Sequence, residues 1–99
     1  MIVVAEPFQY NWDNGNSSKS KGSHGVEDWE CEEVFFDPNK VILKDKLHSN
    51  KEERFILLGQ TRQNRLLYLV FTIRNEKIRI ISARDITKRK EIEIYEKAA

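Results

Sequence analysis

Arg65 to Ile73 reads RLLYLVFTI, and after Arg74-Asn75-Glu76 the chain resumes as Lys77 to Ala83, KIRIISA. The first run is almost wholly apolar and rich in residues that suit a pleated backbone, so it predicts a central strand. The second run is also strand-like. Only a short turn at Asn75-Glu76 separates the two, which joins them antiparallel. Working backward, Arg62-Gln63-Asn64 is another turn and Arg54 to Gln60 another strand, with Gly59 near its end. Val41-Ile42-Leu43 is a short fourth strand, divided from the third by the charged loop Lys44 to Glu53. The expectation is a four-stranded antiparallel meander.

Helices are expected on either side of this sheet in sequence. Asn11 to Gly25 holds Gly15, Gly22 and four serines, and reads as a loop or a poor helix. Gly25 suits a helix end or a turn. Val26 to Phe36 reads as a short helix packed through Trp29 and Val34. Its acids Glu27, Asp28 and Glu30 lie in the first turn, where the helix dipole favours them, and Asp37-Pro38-Asn39 ends it. Asp85 to Lys97 reads as a closing helix capped by Asp85 or Thr87, with Ile86, Ile94 and Tyr95 turned to the sheet. Tyr68 and Phe71 read as core. The fold class is α+β, in one domain spanning residues 1–99.

Charged residues make up 33% of the chain and hydrophobic ones 39%, a globular balance. No apolar run approaches the roughly 20 residues of a membrane span. Met1 to Ala5 is too short for a signal peptide, and the lone Cys31 supports no disulfide framework, so the protein is expected in the cytoplasm with no membrane partner. The net charge of +1 hides an asymmetry. Residues 1–53 carry eleven acids against six lysines, and residues 54–99 carry eleven bases against five acids. All seven arginines, Arg54, Arg62, Arg65, Arg74, Arg79, Arg84 and Arg89, fall in the second part. Guanidinium groups grip phosphate bidentately, so a basic half can suit a polyanion, although solvated surface charge reads the same way.

Arg79 is the most informative single residue. It sits between Ile78 and Ile80 in a strand whose two faces are both largely apolar. An arginine on a partly covered surface requires either a functional role or an anionic partner, such as a salt bridge to a neighbouring strand. His24 and His48 can serve as general acids or bases, or can simply be exposed loop residues. In Glu52-Glu53-Arg54 a carboxylate can act as a base or hold an arginine in place. Cys31 with two distant histidines is one ligand short of a zinc site, and no phosphate-binding glycine loop is present, so neither a metal nor a cofactor is expected.

Several motifs then fall in order. They are Trp12-Asp13 with Gly15-Asn16 and Lys19; His24-Gly25-Val26-Glu27; Trp29-Glu30; and Glu32-Glu33-Val34-Phe35. Next come Asp45 with His48-Ser49, then Glu52-Glu53-Arg54-Phe55 and Leu58-Gly59. Arg65-Leu66-Leu67, Val70-Phe71-Thr72, Ile78 to Arg84, Lys90-Glu91 and Tyr95-Glu96 complete the set. In this order and spacing the chain resembles the BrnT toxins from about Phe8 to Glu96. It departs from their pattern at Ser20, where an asparagine is common, and at Ser23, where a lysine is common.

The resemblance implies a RelE-like fold, with a four-stranded antiparallel sheet flanked by N-terminal helices and a C-terminal helix. It implies metal-independent RNA cleavage that inhibits translation, and neutralisation by a BrnA-like ribbon-helix-helix antitoxin. Operator DNA is then met only through the antitoxin complex. On this reading His24, Glu53, Arg54, Arg79 and Arg84 are catalytic, the arginines facing the phosphate and His24 or Glu53 moving protons. Lys19, His48, Thr72 and Tyr95 contact RNA. The arrangement requires guanidinium groups to gather around one phosphodiester. The alternative is a weakened or inactive module that binds antitoxin or RNA without cutting, which the two serines favour.

Overall fold

The computed structural model describes residues 6–48 and 51–98. Met1 to Ala5 and Ser49, both drawn on above, lie outside the described residues. Four strands run in sequence order, β1 (Val41–Lys44), β2 (Phe55–Gln60), β3 (Leu66–Arg74) and β4 (Lys77–Asp85), all neighbours being antiparallel. The expected meander is therefore present. Asn75 and Glu76 both take positive φ, 49° and 65°, the pattern of a tight two-residue hairpin whose twist matches its strands. That turn pairs Arg74 with Lys77, Ile73 with Ile78 and Thr72 with Arg79. A register shift follows, so that Phe71 faces Ile80 while Val70 faces Ser82. Ile81 is the extra residue, a bulge that bends the edge strand.

Alternation divides the sheet into two faces. Leu57, Leu69 and Ala83 align across three strands, as do Phe55, Phe71 and Ile80. This face is the core, closed by Val26, Cys31, Val34 and Phe35, all fully buried. Phe35 meets Phe71 edge to face at 5.2 Å. On the opposite face, Leu58 is buried and Arg84 pairs with Glu91 at 2.7 Å. The latter residue belongs to α3 (Arg89–Ala98), which packs on β1 and β2. Tyr95 of α3 is buried and donates to Asp37 Oδ2 at 2.6 Å.

The structure settles or departs from the sequence reading at four places. The polar stretch before Gly25 does contain a helix, α1 (Lys19–His24), ended by Gly25 at φ 68°. Low propensity is overridden there by tertiary bonds, among them Ala83 N–H to Ser20 Oγ at 2.9 Å. The expected Val26–Phe36 helix is instead α2 (Asp28–Glu33) followed by a 3₁₀ turn, Val34–Phe36. That shift of phase buries Glu30 and Cys31 and leaves Trp29 half exposed, so only Val34 packs as read. Asp85 ends β4 and caps nothing; Ile86 lies before α3, which starts at Arg89. Tyr68 is half-buried beneath the Arg84 guanidinium, 4.0 Å from the ring centre, whereas Phe71 is core.

Arg65 explains how the buried Glu30 is tolerated. Its Nη1 donates to Glu30 at 2.9 Å and to the Gly25 carbonyl at 3.0 Å, and its Nε donates to Asp85 at 2.7 Å. One guanidinium thus ties α1, α2 and β4 together, and the buried carboxylate of Glu30 is hydrogen-bonded rather than left without a partner.

The outer edge of β4 is satisfied by the segment that leads into α1 and by α1 itself. Ile78 accepts from Asn11 N–H and donates to the Gln9 carbonyl, both at 2.8 Å. Asn16 Nδ2 donates to the Ile80 carbonyl at 3.1 Å and Ser20 receives the Ala83 amide. A strand edge that would otherwise offer unpaired groups is closed by four residues of one segment.

Candidate functional site

Lys44, Phe55, Phe71 and Ile80 form one line of cross-strand partners. One residue further along each strand direction come Asp45, Arg54, Thr72 and Arg79. Thr72 and Arg79 are direct partners. Asp45 N–H donates to the Arg54 carbonyl at 2.8 Å, and the Thr72 hydroxyl donates to the Glu53 carbonyl at 2.6 Å. Alternation puts this second line on the face away from Phe71 and Ile80. With strands about 4.8 Å apart, the row spans about 14 Å. Arg74 lies on the same face, one step beyond Thr72 and opposite Lys77.

Carboxylates position these arginines. Asp13 reaches over from the N-terminal segment and takes both terminal nitrogens of Arg79 at 3.0 Å, while Asn11 Oδ1 accepts a further bond from Nη1 at 3.0 Å. Gly15 passes so close that a Cβ there would stand 2.8 Å from Arg79 Nη2. Glu52 grips Arg74 through Nε at 2.6 Å and Nη2 at 3.0 Å. The bond from Arg79, then that from the Gly15 amide, hold the Asp13 carboxyl below its ordinary range, with Arg74 adding to the field. The bond from Arg74 does the same for Glu52, and the charges of Arg54 and Arg79 reinforce it. Two carboxylates therefore sense overlapping sets of guanidinium groups, which makes Arg54, Arg74 and Arg79 one electrostatic cluster.

Next to Arg54 a shallow pocket of about 280 Å³ is lined by His48, Lys51, Glu52 and Arg54. His48 is exposed, and its Nδ1 lies 3.0 Å from Oδ2 of the buried Asp45.

The nine residues marked out in the sequence are only partly united. Arg54, Thr72, Arg79 and His48 come together. Arg84 shares the face but sits at the Tyr68 level, four residues or about 14 Å along the strand from Arg79, and is bound to Glu91. Glu53 turns its carboxylate to Lys44, at 3.5 Å. His24 ends α1 beside Asp85, whose charge it influences. Lys19 is exposed at the start of α1, and the Tyr95 hydroxyl is committed to Asp37. The guanidinium groups thus do not all converge, and those of Arg74 and Arg79 are held by acids rather than bare. The anionic partner of Arg79 is a loop residue, not a neighbouring strand.

Asp45, Glu52, Arg74, Asn11 and Asp13 complete the site without having been singled out as site residues. Counting outward from the two-residue turn at Asn75-Glu76 is the signal that sets Thr72 against Arg79, with Arg74 one step away. The i, i+3 spacing of Asp45 and His48 is the signal for their pairing. Among the described residues no three His, Cys, Asp or Glu side chains form a metal-binding group, and no helix is long and apolar enough to cross a membrane.

Fold and cluster together define a small α+β protein whose sheet carries carboxylate-positioned arginines at one end of the face away from the core. Residues 12–90 match the family described as ribonuclease toxin, BrnT, of type II toxin-antitoxin system. The chain belongs to this BrnT family, and with it to the ribonuclease toxins that act opposite an antitoxin. A comparison with curated proteins found no match.

Proposed function

We propose that this protein is an active, metal-independent endoribonuclease of RelE-like fold that cuts RNA in the cytoplasm and so inhibits translation. A BrnA-like ribbon-helix-helix antitoxin silences it and carries the pair to operator DNA. The observation that carries the reading is the row that sets Arg54, beside the Glu53 carbonyl bonded by Thr72, in line with Arg79 opposite Thr72, with Arg74 one step away on the same face and bonded to Glu52. The patch lies on the half of the sheet face away from Leu58 and Arg84, where α3 packs.

The chemistry needs no bound cation. The ribose 2′-oxygen attacks the adjacent phosphorus, a 2′,3′-cyclic phosphate forms and the 5′-oxygen leaves. Negative charge grows on the non-bridging oxygens, and guanidinium groups already in place stabilise it without reorganising. Asp13 and Glu52 do not obstruct this. The Arg74–Glu52 pair lies at the surface, where such pairs are weak; Arg79 is mostly covered, but its partner Asp13 is 57% exposed, and a phosphodiester gains from counter-ion release as it binds. Until RNA arrives they keep the guanidinium planes oriented.

The carboxylate partners of Arg74 and Arg79 also give some support to the rival reading, a non-cutting module. Cleavage separates the two. The chain is purified free of any partner and mixed with a defined RNA in EDTA. Fragments are expected, and Arg79→Ala is expected to lower their rate on the order of 100-fold, as for loss of one charge-stabilising donor. Intact RNA with tight antitoxin binding would establish the module instead.

A further inference from the structure

We propose that His48 is the general base of this site and that Asp45 is its positioning residue, an assignment that rests on the ribonuclease reading above. Three observations carry it. The imidazole lines the same 280 Å³ pocket as Arg54, Glu52 and Lys51. Its Nδ1 is bonded to both oxygens of Asp45, at 3.1 and 3.0 Å, while Nε2 has no partner among the described residues. Asp45 is buried and stands in the cross-strand row with Arg54, Thr72 and Arg79, to which its backbone is bonded at Arg54.

A carboxylate on Nδ1 selects the tautomer with its hydrogen there, which leaves the Nε2 lone pair for a substrate proton. The His48 side chain is 65% exposed, so an RNA lying along the row can reach it, whereas its anchor is 10% exposed and fixed by the sheet. His24 and Glu53 lack this arrangement: the first is at the far end of α1 and the second faces Lys44. Charged groups around the ring are Asp45 on its own loop, Lys51 and Glu52 on the loop before β2, and Arg54 at the mouth of β2.

In the step itself, Nε2 takes the proton from the 2′-hydroxyl as the O2′–P bond forms and the P–O5′ bond breaks. The 5′-oxygen takes a proton from solvent water, and the hydroxide so made is neutralised by the imidazolium. The net reaction is a transesterification that consumes no water. Asp45 stabilises the imidazolium while it exists.

The test is single-turnover cleavage across pH, beside binding of a 2′-O-methyl RNA that cannot be cut. His48→Gln is expected to lose on the order of 10²- to 10⁴-fold in rate and to lose the ascending limb of the profile, while binding the uncut RNA at most a few-fold less tightly. Asp45→Asn keeps the shape but removes the charge. It is expected to slow cleavage and to change the pH profile, which loss of a mere folding contact would not do. If it fails to fold, the exposed His48→Gln decides alone. Wild-type cleavage abolished by Arg79→Ala but untouched, limb included, by His48→Gln overturns this assignment and leaves the ribonuclease reading standing. No cleavage by the wild-type chain overturns both.

Discussion

Replacing Ser20 by alanine deletes one acceptor atom and leaves the amide of Ala83 facing a protein interior. Ser20 is 7% exposed and Ala83 1%, and their 2.9 Å bond joins residues 63 positions apart. Among the described residues no other group is bonded to that amide on the outer edge of β4. A buried donor stripped of its acceptor costs about 1–3 kcal/mol. In a domain of this size each kcal/mol moves Tm by roughly 4–8 °C, so a fall of about 10 °C is expected. Urea unfolding should show a lower midpoint at constant slope, the mark of lost stability rather than an altered unfolded state. Ser23→Ala is the control. Ser23 is exposed, so its change should stay within about 0.5 kcal/mol. Identical melting of the two variants would refute the claim that Ser20 fastens α1 to the sheet edge.

Gly15→Ala tests the held position of Arg79. Its Cβ would meet Arg79 Nη2 at 2.8 Å and Asp13 Oδ1 at 3.0 Å, both ends of flexible side chains, so cleavage should fall on the order of 10- to 100-fold while Tm barely moves. Equal loss of both would show a general disruption. Stability should also depend on acid. The folded pKa of Asp85 is held down, chiefly by its bond from Arg65, as Asp13 and Glu52 are held down by Arg79 and Arg74. Such groups stabilise the fold above the unfolded value of about 4, and the contribution is lost as pH falls through the lower folded value. Tm should therefore be level from about pH 7 to 5 and fall below about 4, and Asp85→Asn should flatten that acid limb. Parallel limbs in melts at several pH values would exclude Asp85 as a cause. Burial first, and the acids Asp28, Glu30 and Glu32 second, push the Cys31 thiol up to about 12. A thiol-specific disulfide reagent should label the native protein at least roughly 1,000-fold more slowly than the urea-unfolded chain, and fast native labelling would show that α2 opens readily.

The sheet was legible because its signals were strong. RLLYLVFTI admits only a central strand, and two-residue spacing between β3 and β4 fixes their register through Thr72 and Arg79. The bulge at Ile81 was not legible, since isoleucines on both sides of the strand look alike from either face. Trp29 misled because a six-residue helix that tightens into a 3₁₀ turn never completes the period on which the packing face was read. Glu30 could be buried only because Arg65, thirty-five residues on, supplies its charge partner. At the site, Arg79, His48 and Arg54 stood out from their own places in the sequence and Thr72 entered through the family resemblance, whereas the Asp13 and Glu52 clasps depend on where loops land. Asp45 was hidden for the same reason: it lies in a polar loop by composition but continues β1 in space.

The stitches along β4 span almost the whole chain. Asn11, Asn16 and Ser20 leave the ribosome more than sixty residues before Ile78, Ile80 and Ala83, and Asp13 precedes Arg79 by sixty-six. A nascent chain therefore cannot finish the rim or orient that guanidinium until its last strand has emerged. If Arg79 serves the cleavage proposed above, the half-made polypeptide is unarmed, and the moment of arming coincides with the closing of the fold.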